Sequence, residues 1–303
     1  MRLLLFSDTH FRGVNPVGRT DDIVETQKRK WNNIVDIAIN NEVNVVLQAG
    51  DLFDNPNPSV SILNMFAGLL VDLHDNNIPF FTIAGQHDML MRSPDLDRTA
   101  MGLFESFGVL DILGTWGVPF GDDIYLHGHS YFDDYKKLEP RKNKFNILVT
   151  HDMIGNEPLF PGHELTDAEK FLQTYKEFDI ILCGDYHYPF KFKSKDGRYI
   201  VNTGCLLRLT RLEKDMNRNP FVYVVDTETD KWKKCYVGAE PTEKVFMNKL
   251  EDRHEMSKNL DEFITMLKTQ NKVGLSYLEN LEIYFKENET KEEVQYLIRE
   301  VLK

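Results

Sequence analysis

Long apolar runs, abundant cysteine and an excess of positive charge are all missing from this chain of 303 residues. No apolar stretch approaches the about 20 residues of a membrane-spanning helix, so we expect no membrane contact. The three cysteines, Cys183, Cys205 and Cys235, are odd in number and lack the spacing of a metal-binding cluster, which indicates a reduced, cytoplasmic setting. The first apolar run, residues 1–6, meets Ser7 and Asp8 too soon to be the core of a signal peptide.

The charge balance argues against a chain that holds nucleic acid by its own surface. Lysine and arginine number 36 against 48 aspartate and glutamate residues, which gives a net charge of -12. Nucleic-acid-binding surfaces are normally basic, whereas an acidic chain suits clustered carboxylates that metal ions neutralise. Apolar residues at 42% and charged residues at 28% are typical of globular proteins. The length predicts one large domain or two smaller ones.

The first 110 residues alternate between short apolar runs and amphipathic helical segments. The runs at 3–6, 43–47 and 80–83 predict strands, and helices are expected from a cap near Thr20 and Asp21 and over residues 60–73. This alternation predicts an α/β fold with a partly parallel sheet. Further strands are predicted up to residue 237, and residues 243–303 have only helical periodicity.

Polar side chains that can bind metal follow five of the predicted strands. In α/β sheets, sites form at the carboxyl ends of the strands, so we expect these five loops to meet at one edge. A single Asp-x-His would be weak evidence of a site, but five such clusters in one chain predict a metal centre. The metal-binding candidates in these loops are Asp8, His10, Asp51, Gln86, His151, Asp185 and His187, and His87 and Asp88 follow Gln86 as further polar residues of the same cluster.

The chemistry of these seven side chains limits the ions that they can bind. Carboxylate, imidazole and amide ligands without cysteine suit Mn²⁺, Fe²⁺ or Zn²⁺. Seven ligands exceed the needs of one tetrahedral ion, but they suffice for two ions that share a bridging carboxylate. Pairs of ions of this kind hydrolyse phosphate esters.

The same loops resemble the ordered motifs of a known family. Asp-Thr-His at 8–10, Gly-Asp-Leu-Phe-Asp at 50–54, Gly-Gln-His-Asp at 85–88, Thr-His at 150–151 and Gly-Asp-Tyr-His at 184–187 resemble calcineurin-like metallophosphoesterases. The closest similarity is to the SbcD-type nuclease subunit of double-strand-break repair complexes. The resemblance implies a β-sandwich flanked by helices, with a nuclease domain over residues 1–210. It further implies a reduced, β-containing capping region over 211–240 and a helical partner-binding region over 243–303.

The resemblance also implies roles for individual residues. Asp51 would bridge two divalent ions, with Mn²⁺ as the expected metal. One ion would also take Asp8, His10 and His187, and the other Gln86, His151 and Asp185. His87 would face the scissile phosphate and assist the leaving oxygen, and Asp88 would support one of the histidines. The family usually has Asn at the position of Gln86 and His at that of Asp185, so three carboxylates instead of two would face the ions.

The function implied is that of a DNA exonuclease, with single-strand endonuclease activity as a further expectation. Its partners would be DNA and an SbcC-like coiled-coil ATPase that binds the C-terminal helices and supplies the missing basic surface; a homodimer is left open. Weaker candidates for DNA contact are Lys191, Lys193, Lys195 and Arg198, which follow His187 among aromatic residues. Two alternatives remain: a phosphatase or small-molecule phosphodiesterase of the same superfamily, and a non-catalytic scaffold of that fold.

Overall fold

Two six-stranded β-sheets pack face to face. The computed structural model describes residues 1–159 and 162–246, and the described part up to Phe246 belongs to one compact unit. The first sheet has the order β14-β13-β1-β2-β3-β4. Its strands are β1 (Arg2–Phe6), β2 (Val45–Gln48), β3 (Phe80–Thr82), β4 (Asp111–Ile112), β13 (Phe221–Asp226) and β14 (Lys231–Tyr236).

The second sheet has the order β11-β12-β10-β7-β6-β5. Its strands are β5 (Val118–Phe120), β6 (Ile124–His129), β7 (Phe145–Asp152), β10 (Ile180–Asp185), β11 (Phe190–Lys193) and β12 (Tyr199–Asn202). A separate small pair is formed by β8 (Ile154–Gly155) and β9 (Thr166–Asp167). In the middle of each sheet the neighbours are parallel: β1, β2 and β3 in the first, and β6, β7, β10 and β12 in the second.

The central strands are apolar on both sides because both faces of each sheet are covered. In β1, Leu3 and Leu5 face the second sheet, whereas Leu4 and Phe6 face the helices outside. This alternation follows from the two-residue period of a strand. The helices are α1 (Ile23–Asn40), α2 (Val60–Asp75), α3 (Ala100–Ser106), α4 (Ala168–Thr174), α5 (Glu213–Met216) and α6 (Thr242–Val245). The predicted fold, a β-sandwich flanked by helices, is confirmed.

The structure differs from the sequence prediction at the start of α1 and adds detail in the predicted capping region. Asp22, not Thr20 or Asp21, caps α1 by accepting hydrogen bonds from the amides of Val24 and Glu25. The carboxylate of Asp21 is instead bonded to Arg19. Residues 221–236, within the predicted capping region, form the β13–β14 hairpin of the first sheet. The predicted domain boundaries stay predictions, and residues 247–303 of the partner-binding region lie outside the described residues.

Candidate metal centre

The seven metal-binding candidates occupy the carboxyl ends of five parallel strands, as the sequence predicts. Asp8 and His10 follow β1, Asp51 follows β2, and Gln86 follows β3. His151 lies near the end of β7, Asp185 ends β10, and His187 comes two residues later. Four of the seven adopt the left-handed backbone conformation: Asp8 (φ 46°), His10 (φ 47°), Asp51 (φ 49°) and Asp185 (φ 72°). Such conformations in residues other than glycine cluster at functional sites, where the surrounding structure stabilises them.

Asp51 lies between the ends of the two sheets. Its Oδ2 atom is 3.6 Å from Nε2 of His10 and 3.4 Å from Nε2 of His151. Its other oxygen, Oδ1, accepts a hydrogen bond of 2.9 Å from the amide of His87. One oxygen is therefore fixed by the backbone, and the other faces a histidine on each side, which is the placement that a bridging carboxylate requires.

Three side chains surround one side of Asp51. Nε2 of His10 is 3.1 Å from Nε2 of His187, and Nε2 of His187 is 3.9 Å from Oδ1 of Asp8. Oδ1 of Asp8 also accepts the amide of Asp185 at 3.0 Å, which ties the end of β1 to the end of β10. Asp8, His10 and His187 are thus brought together beside Asp51, as the resemblance implies for the first ion.

On the other side, the two residues that depart from the family pattern contact each other. The side-chain amide of Gln86 donates to Oδ1 of Asp185 at 2.7 Å. This bond orients Gln86 so that its nitrogen faces the carboxylate, and leaves its carbonyl oxygen for another partner. The sequence places both residues at the second ion but gives no sign that they are bonded.

His151 is held in one orientation by its surroundings. Its Nδ1 atom lies 2.7 Å from the carbonyl oxygen of Ala49. Because a carbonyl can only accept, Nδ1 carries the proton and Nε2 faces Asp51. Gly184 permits this packing, since a Cβ atom there would lie 2.0 Å from the oxygen of Ala49 and 2.5 Å from Nδ1 of His151.

Asp88 supports the loops, not a histidine ring. Its carboxylate accepts the amides of Leu52 (3.1 Å), Phe53 (2.9 Å) and Gly85 (3.0 Å). Burial and the neighbouring Asp51 raise the pKa of Asp88 to about 7. The residue therefore joins the loop after β2 to the loop after β3, and its effect on the centre passes through the backbone.

The carboxylates and histidines at the centre shift one another's pKa values. Burial lowers the pKa of His10 well below its usual value, so this ring is neutral and one of its nitrogens can act as a ligand. Burial acts against the charge of His151, but the carboxylates of Asp51, Asp8 and Asp185 raise its pKa. Although burial alone would raise the pKa of Asp51, His151 and His10 hold it below its usual value. The raised pKa of His151 thus places positive charge among these carboxylates, which a divalent ion would also supply.

Several buried polar atoms at this edge lack a hydrogen-bond partner among residues 1–159 and 162–246. They are Oδ2 of Asp8, Nδ1 of His10, Oδ2 of Asp51, Oε1 of Gln86 and Nε2 of His151. Buried polar atoms are nearly always paired, because an unpaired one costs about 1–3 kcal/mol. Nδ1 of His10 lies 3.8 Å from Asp54, on the other side of the ring from the Nε2 atom that faces Asp51. The other four atoms would be satisfied by an added cation, and the carboxylate, imidazole and amide donors suit a divalent metal.

His87 lies at the exposed rim of the centre. Nδ1 of its ring is 2.9 Å from the carbonyl oxygen of Asp54, and the ring packs edge-on against that of His10 with centroids 4.9 Å apart. The carbonyl fixes the proton on Nδ1 and leaves Nε2 unconstrained by this contact. Asp54 itself pairs with Arg12 at 2.6 Å, consistent with a role in holding the loop.

The four basic candidates for DNA contact lie away from the metal centre. Strand β11 leaves the site, and Lys193 at its far end pairs with Tyr199, which aligns with the start of β10 at Ile180. Since the site is at the other end of β10, about 16 Å separates the two positions. Lys191 lies 4.2 Å above the ring of Trp232.

The remaining members of that group differ in exposure. Lys193 is paired with Asp230 at 2.7 Å, and Lys195 is exposed. Arg198 is buried, and its guanidinium donates to the carbonyl of Leu172 at 2.6 Å and to Asp196 at 2.9 Å. Although these four residues follow His187 in the chain, their side chains therefore do not lie beside the candidate ligands.

One residue at the centre was missed by reasoning from the sequence. Cys205 is buried, and its sulfur lies with ligand atoms of His10 and His187 in a group whose members are all within 4.8 Å of one another. No spacing signal identifies it, because it comes from the segment after β12 and not from a metal-binding motif.

Comparison with known proteins identifies the family of this chain. The family model of calcineurin-like phosphoesterases matches residues 1–189. Among curated relatives, the DNA double-strand break repair protein Mre11 of Sulfolobus acidocaldarius is 37% identical over 190 residues, covering 58% of this chain and 48% of that protein. The protein of the same name from Methanosarcina mazei is 28% identical over 229 residues, covering 71% and 35% respectively. A third, from Saccharolobus solfataricus, is 25% identical over 243 residues, covering 76% and 61%.

The matched segment thus spans about a third to three fifths of these relatives. One solved crystal structure superposes with a TM-score of 0.51 at 11% identity, covering 78% of this chain and 99% of that one, which shows the fold alone. No helix within the described ranges is long and apolar enough to cross a bilayer. The relatives support the predicted similarity to the SbcD-type nuclease subunit, and the chain belongs to the calcineurin-like phosphoesterase family.

Proposed function

We propose that this chain is a metal-dependent DNA nuclease, an exonuclease that also cuts single strands internally, and that it acts in the cytoplasm as the nuclease subunit of an SbcCD-like repair complex. The observation that carries the proposal is the group of buried, unpartnered donor atoms around Asp51 at the edge shared by both sheets. The names of the repair proteins that match this chain support DNA as the substrate.

The proposed centre holds two divalent ions, and Mn²⁺ is the expected metal. Asp51 would bridge them, with Asp8, His10 and His187 on one side. His151, the carbonyl oxygen of Gln86 and Asp185 would lie on the other. When bound, the ions would polarise the phosphoryl group and make water a better nucleophile. The protein holds the ligands in place through backbone hydrogen bonds to Asp8, Asp51 and His151, so little reorganisation is needed when substrate binds.

His87 is the proposed proton donor to the leaving oxygen. The bond between its Nδ1 atom and the carbonyl of Asp54 orients the ring, and a histidine can carry a second proton near neutral pH. That proton would sit on Nε2 and be transferred as the phosphorus–oxygen bond breaks. One potential ligand atom each of His87, Asp51 and His10 lies within 4.8 Å of the others, so His87 could also bind an ion. The metal content of a His87 variant therefore distinguishes a proton donor from a ligand.

Binding of long DNA would depend on a partner. The acidic chain would gain a basic surface by docking on an SbcC-like coiled-coil ATPase through residues 243–303. Lys191, Lys193 and Lys195 would contact the DNA backbone beyond the cut site, not at it. Arg198 is left out of this surface because its donors are bonded within the protein.

One assay tests the proposed activity. The purified chain is incubated with linear DNA and, in parallel, with an aryl phosphodiester, with Mn²⁺ or with a chelator. Mn²⁺-dependent hydrolysis of both substrates is expected. Hydrolysis of the aryl ester alone would favour a small-molecule phosphodiesterase, and hydrolysis of neither would favour a scaffold. An Asp51→Ala variant should be inactive on both substrates, and Asp36→Ala, on the exposed side of α1, serves as the matched control.

The proposed partner is tested by truncation after residue 246. This cut keeps Val245, whose carbonyl accepts the amide of Thr20 at 2.8 Å, and the buried Phe246. Aryl-ester hydrolysis should persist, whereas ATP-stimulated degradation of duplex DNA by the complex should disappear. Loss of small-substrate activity in the truncated chain would instead make residues 247–303 part of the catalytic body.

A further inference from the structure

Cys205 lies beside two of the proposed ligands although it belongs to none of the five motif loops. Its side chain is 1% exposed. The sulfur and the nearest ring nitrogens of His10 and His187 are all within 4.8 Å of one another. A thiol grouped with two imidazoles is a donor set found in zinc sites with mixed cysteine and histidine ligands.

The backbone holds Cys205 at this point from three sides. Its amide donates to the carbonyl of His187 at 3.1 Å, and it pairs with Ser7, the residue before Asp8, in a parallel bridge. The guanidinium of Arg218 donates to its carbonyl oxygen. Gly204 permits the close approach, because it has a φ of 70° and a Cβ atom there would lie 2.6 Å from the oxygen of His187. The backbone of Cys205 is therefore fixed relative to the loops after β1 and β10, and only its side chain has to adjust on binding an ion.

The distances fit a single ion between the three side chains. In a tetrahedral zinc site, two imidazole nitrogens lie about 3.3 Å apart and a sulfur lies about 3.6 Å from each of them. Nε2 of His10 and Nε2 of His187 are already 3.1 Å apart. The sulfur and a nitrogen of each ring lie within 4.8 Å of one another, so these separations exceed the tetrahedral values by at most about 1.2 Å.

A hydrogen bond to the sulfur supports the same conclusion independently. The amide of Leu207 donates to Sγ of Cys205 at 3.4 Å. An N–H group directed at sulfur stabilises the charged thiolate more than the neutral thiol. Outer hydrogen bonds of this kind orient metal ligands and tune the ion.

We propose that Cys205 is a further ligand of the ion held by His10 and His187, and that it gives this position a preference for Zn²⁺ over Mn²⁺. The inference rests on the metal centre proposed above. On binding, the S–H bond breaks, a sulfur–metal bond forms and the proton passes to solvent. Thiolate ligands favour Zn²⁺, whereas carboxylate and water ligands favour Mn²⁺, so one cysteine shifts the balance at this position only.

The test uses Co²⁺ as a spectroscopic substitute for Zn²⁺ in the full-length chain. Weak visible bands report that Co²⁺ is bound, and an intense near-ultraviolet band reports a bond from thiolate to cobalt. We expect both signals in the wild type. The Cys205→Ser variant should keep the visible bands and lose the near-ultraviolet band, and Cys235→Ser, which removes a cysteine on β14, should keep both.

Each outcome is decisive. Visible bands without the thiolate band in the wild type would overturn the role of Cys205 and leave the metal centre intact, and this result needs no variant. A thiolate band that persists in Cys205→Ser would also overturn it. Failure to bind Co²⁺ at all would overturn the metal centre and this inference with it.

Competitive loading gives a second readout. The protein is equilibrated with equal concentrations of Zn²⁺ and Mn²⁺, and the bound metals are counted by mass spectrometry. In Cys205→Ser the ratio of Zn²⁺ to Mn²⁺ should fall by more than the about tenfold that loss of an outer-shell partner costs. An unchanged ratio would contradict the proposal, while the total bound metal shows whether the centre itself is intact.

Discussion

Replacing Asp8 with asparagine should stabilise the metal-free protein and destabilise the metal-loaded protein. Asp8 is fully buried. Its Oδ1 atom accepts the amide of Asp185 at 3.0 Å, and Oδ2 has no hydrogen-bond partner within the described part of the chain. Burial raises the pKa of this carboxyl above its ordinary value of 3.8. Asparagine keeps a carbonyl oxygen for Asp185 but removes the buried charge.

The expected size follows from the same contacts. Removing one buried, incompletely hydrogen-bonded charge is worth on the order of 1–3 kcal/mol. For a domain of this size, each kcal/mol changes the melting temperature by about 2–4 °C. Saturation with an ion at 100 times its dissociation constant stabilises the folded state by about 2.7 kcal/mol. The variant would lose about 1.4 kcal/mol of that for each tenfold loss of metal affinity.

The pH dependence has a defined sign. Because the folded-state pKa of Asp8 is raised, the folded protein binds this proton more tightly than the unfolded chain does. The free-energy cost of burying the ionised carboxylate is therefore absent below the pKa of the unfolded chain, 3.8. This cost grows above that pH and is complete once the pH exceeds the raised pKa of the folded protein. The advantage of Asp8→Asn in chelator should therefore be full near neutral pH and shrink on acidification.

Thermal unfolding followed by circular dichroism, in chelator and in excess Mn²⁺, measures both effects. The melting temperature of Asp8→Asn should lie above that of the wild type in chelator and below it in Mn²⁺. Asp36→Asn, on the exposed side of α1, should change neither. If Asp8→Asn lowers the melting temperature equally in both conditions, Asp8 serves only to bind the end of β10, and the reasoning about the unpartnered oxygen is refuted.

Three further predictions follow from other contacts. Asp51→Ala and His87→Ala should both abolish hydrolysis, but only Asp51→Ala should lose its metal, with His74→Ala as a control at an exposed histidine. Loss of metal from His87→Ala would show that His87 is a ligand. Gln86→Asn and Asp185→His, made singly and together, should show a coupling of about 0.5–3 kcal/mol in Mn²⁺ affinity, because the two side chains are bonded to each other, and additive effects would contradict this. Burial and nearby arginines lower the pKa of Lys30 to about 7, so above that pH the unfolded chain binds more protons than the folded protein does. The urea midpoint of unfolding should therefore rise between pH 7 and 10, and Lys30→Met should abolish this rise.

Much of the fold and of the candidate site could be predicted because both depend on repeated local signals. Apolar runs such as residues 3–6 and 80–83 are buried on both faces, so they stand out from their surroundings. Parallel strands end at the same edge, so ligands that follow separate strands had to meet. The contact of Asp51 with both His10 and His151 is the direct result.

The direction of an edge strand and the partners of a carboxylate could not be predicted in the same way. Lys193 lies six residues after His187, yet β11 carries it to the opposite end of the sheet. Asp88 follows two candidate side chains directly, but its oxygens meet three backbone amides. Both outcomes depend on which segments happen to be neighbours across the sandwich, and spacing along the chain carries no information on that.

The two departures from the family pattern show the same limit most clearly. In the sequence, Gln86 and Asp185 are 99 positions apart and look like independent substitutions. In the structure, the amide nitrogen of Gln86 donates to Oδ1 of Asp185, and the buried Oε1 atom of Gln86 has no hydrogen-bond partner in residues 1–159 and 162–246. The longer side chain of glutamine can therefore satisfy one oxygen of the added carboxylate and still offer a carbonyl to an ion.

This pairing changes how the extra negative charge should be understood. A third carboxylate would lower the net positive charge of two bound ions, but a donated N–H bond offsets part of its charge locally. Restoring only Asn at position 86 would leave Asp185 with its charge and without this donor. Restoring only His at position 185 would deprive the Gln86 amide of its acceptor. The two residues are therefore best regarded as one exchange of an amide–imidazole pair for an amide–carboxylate pair at the proposed second metal position.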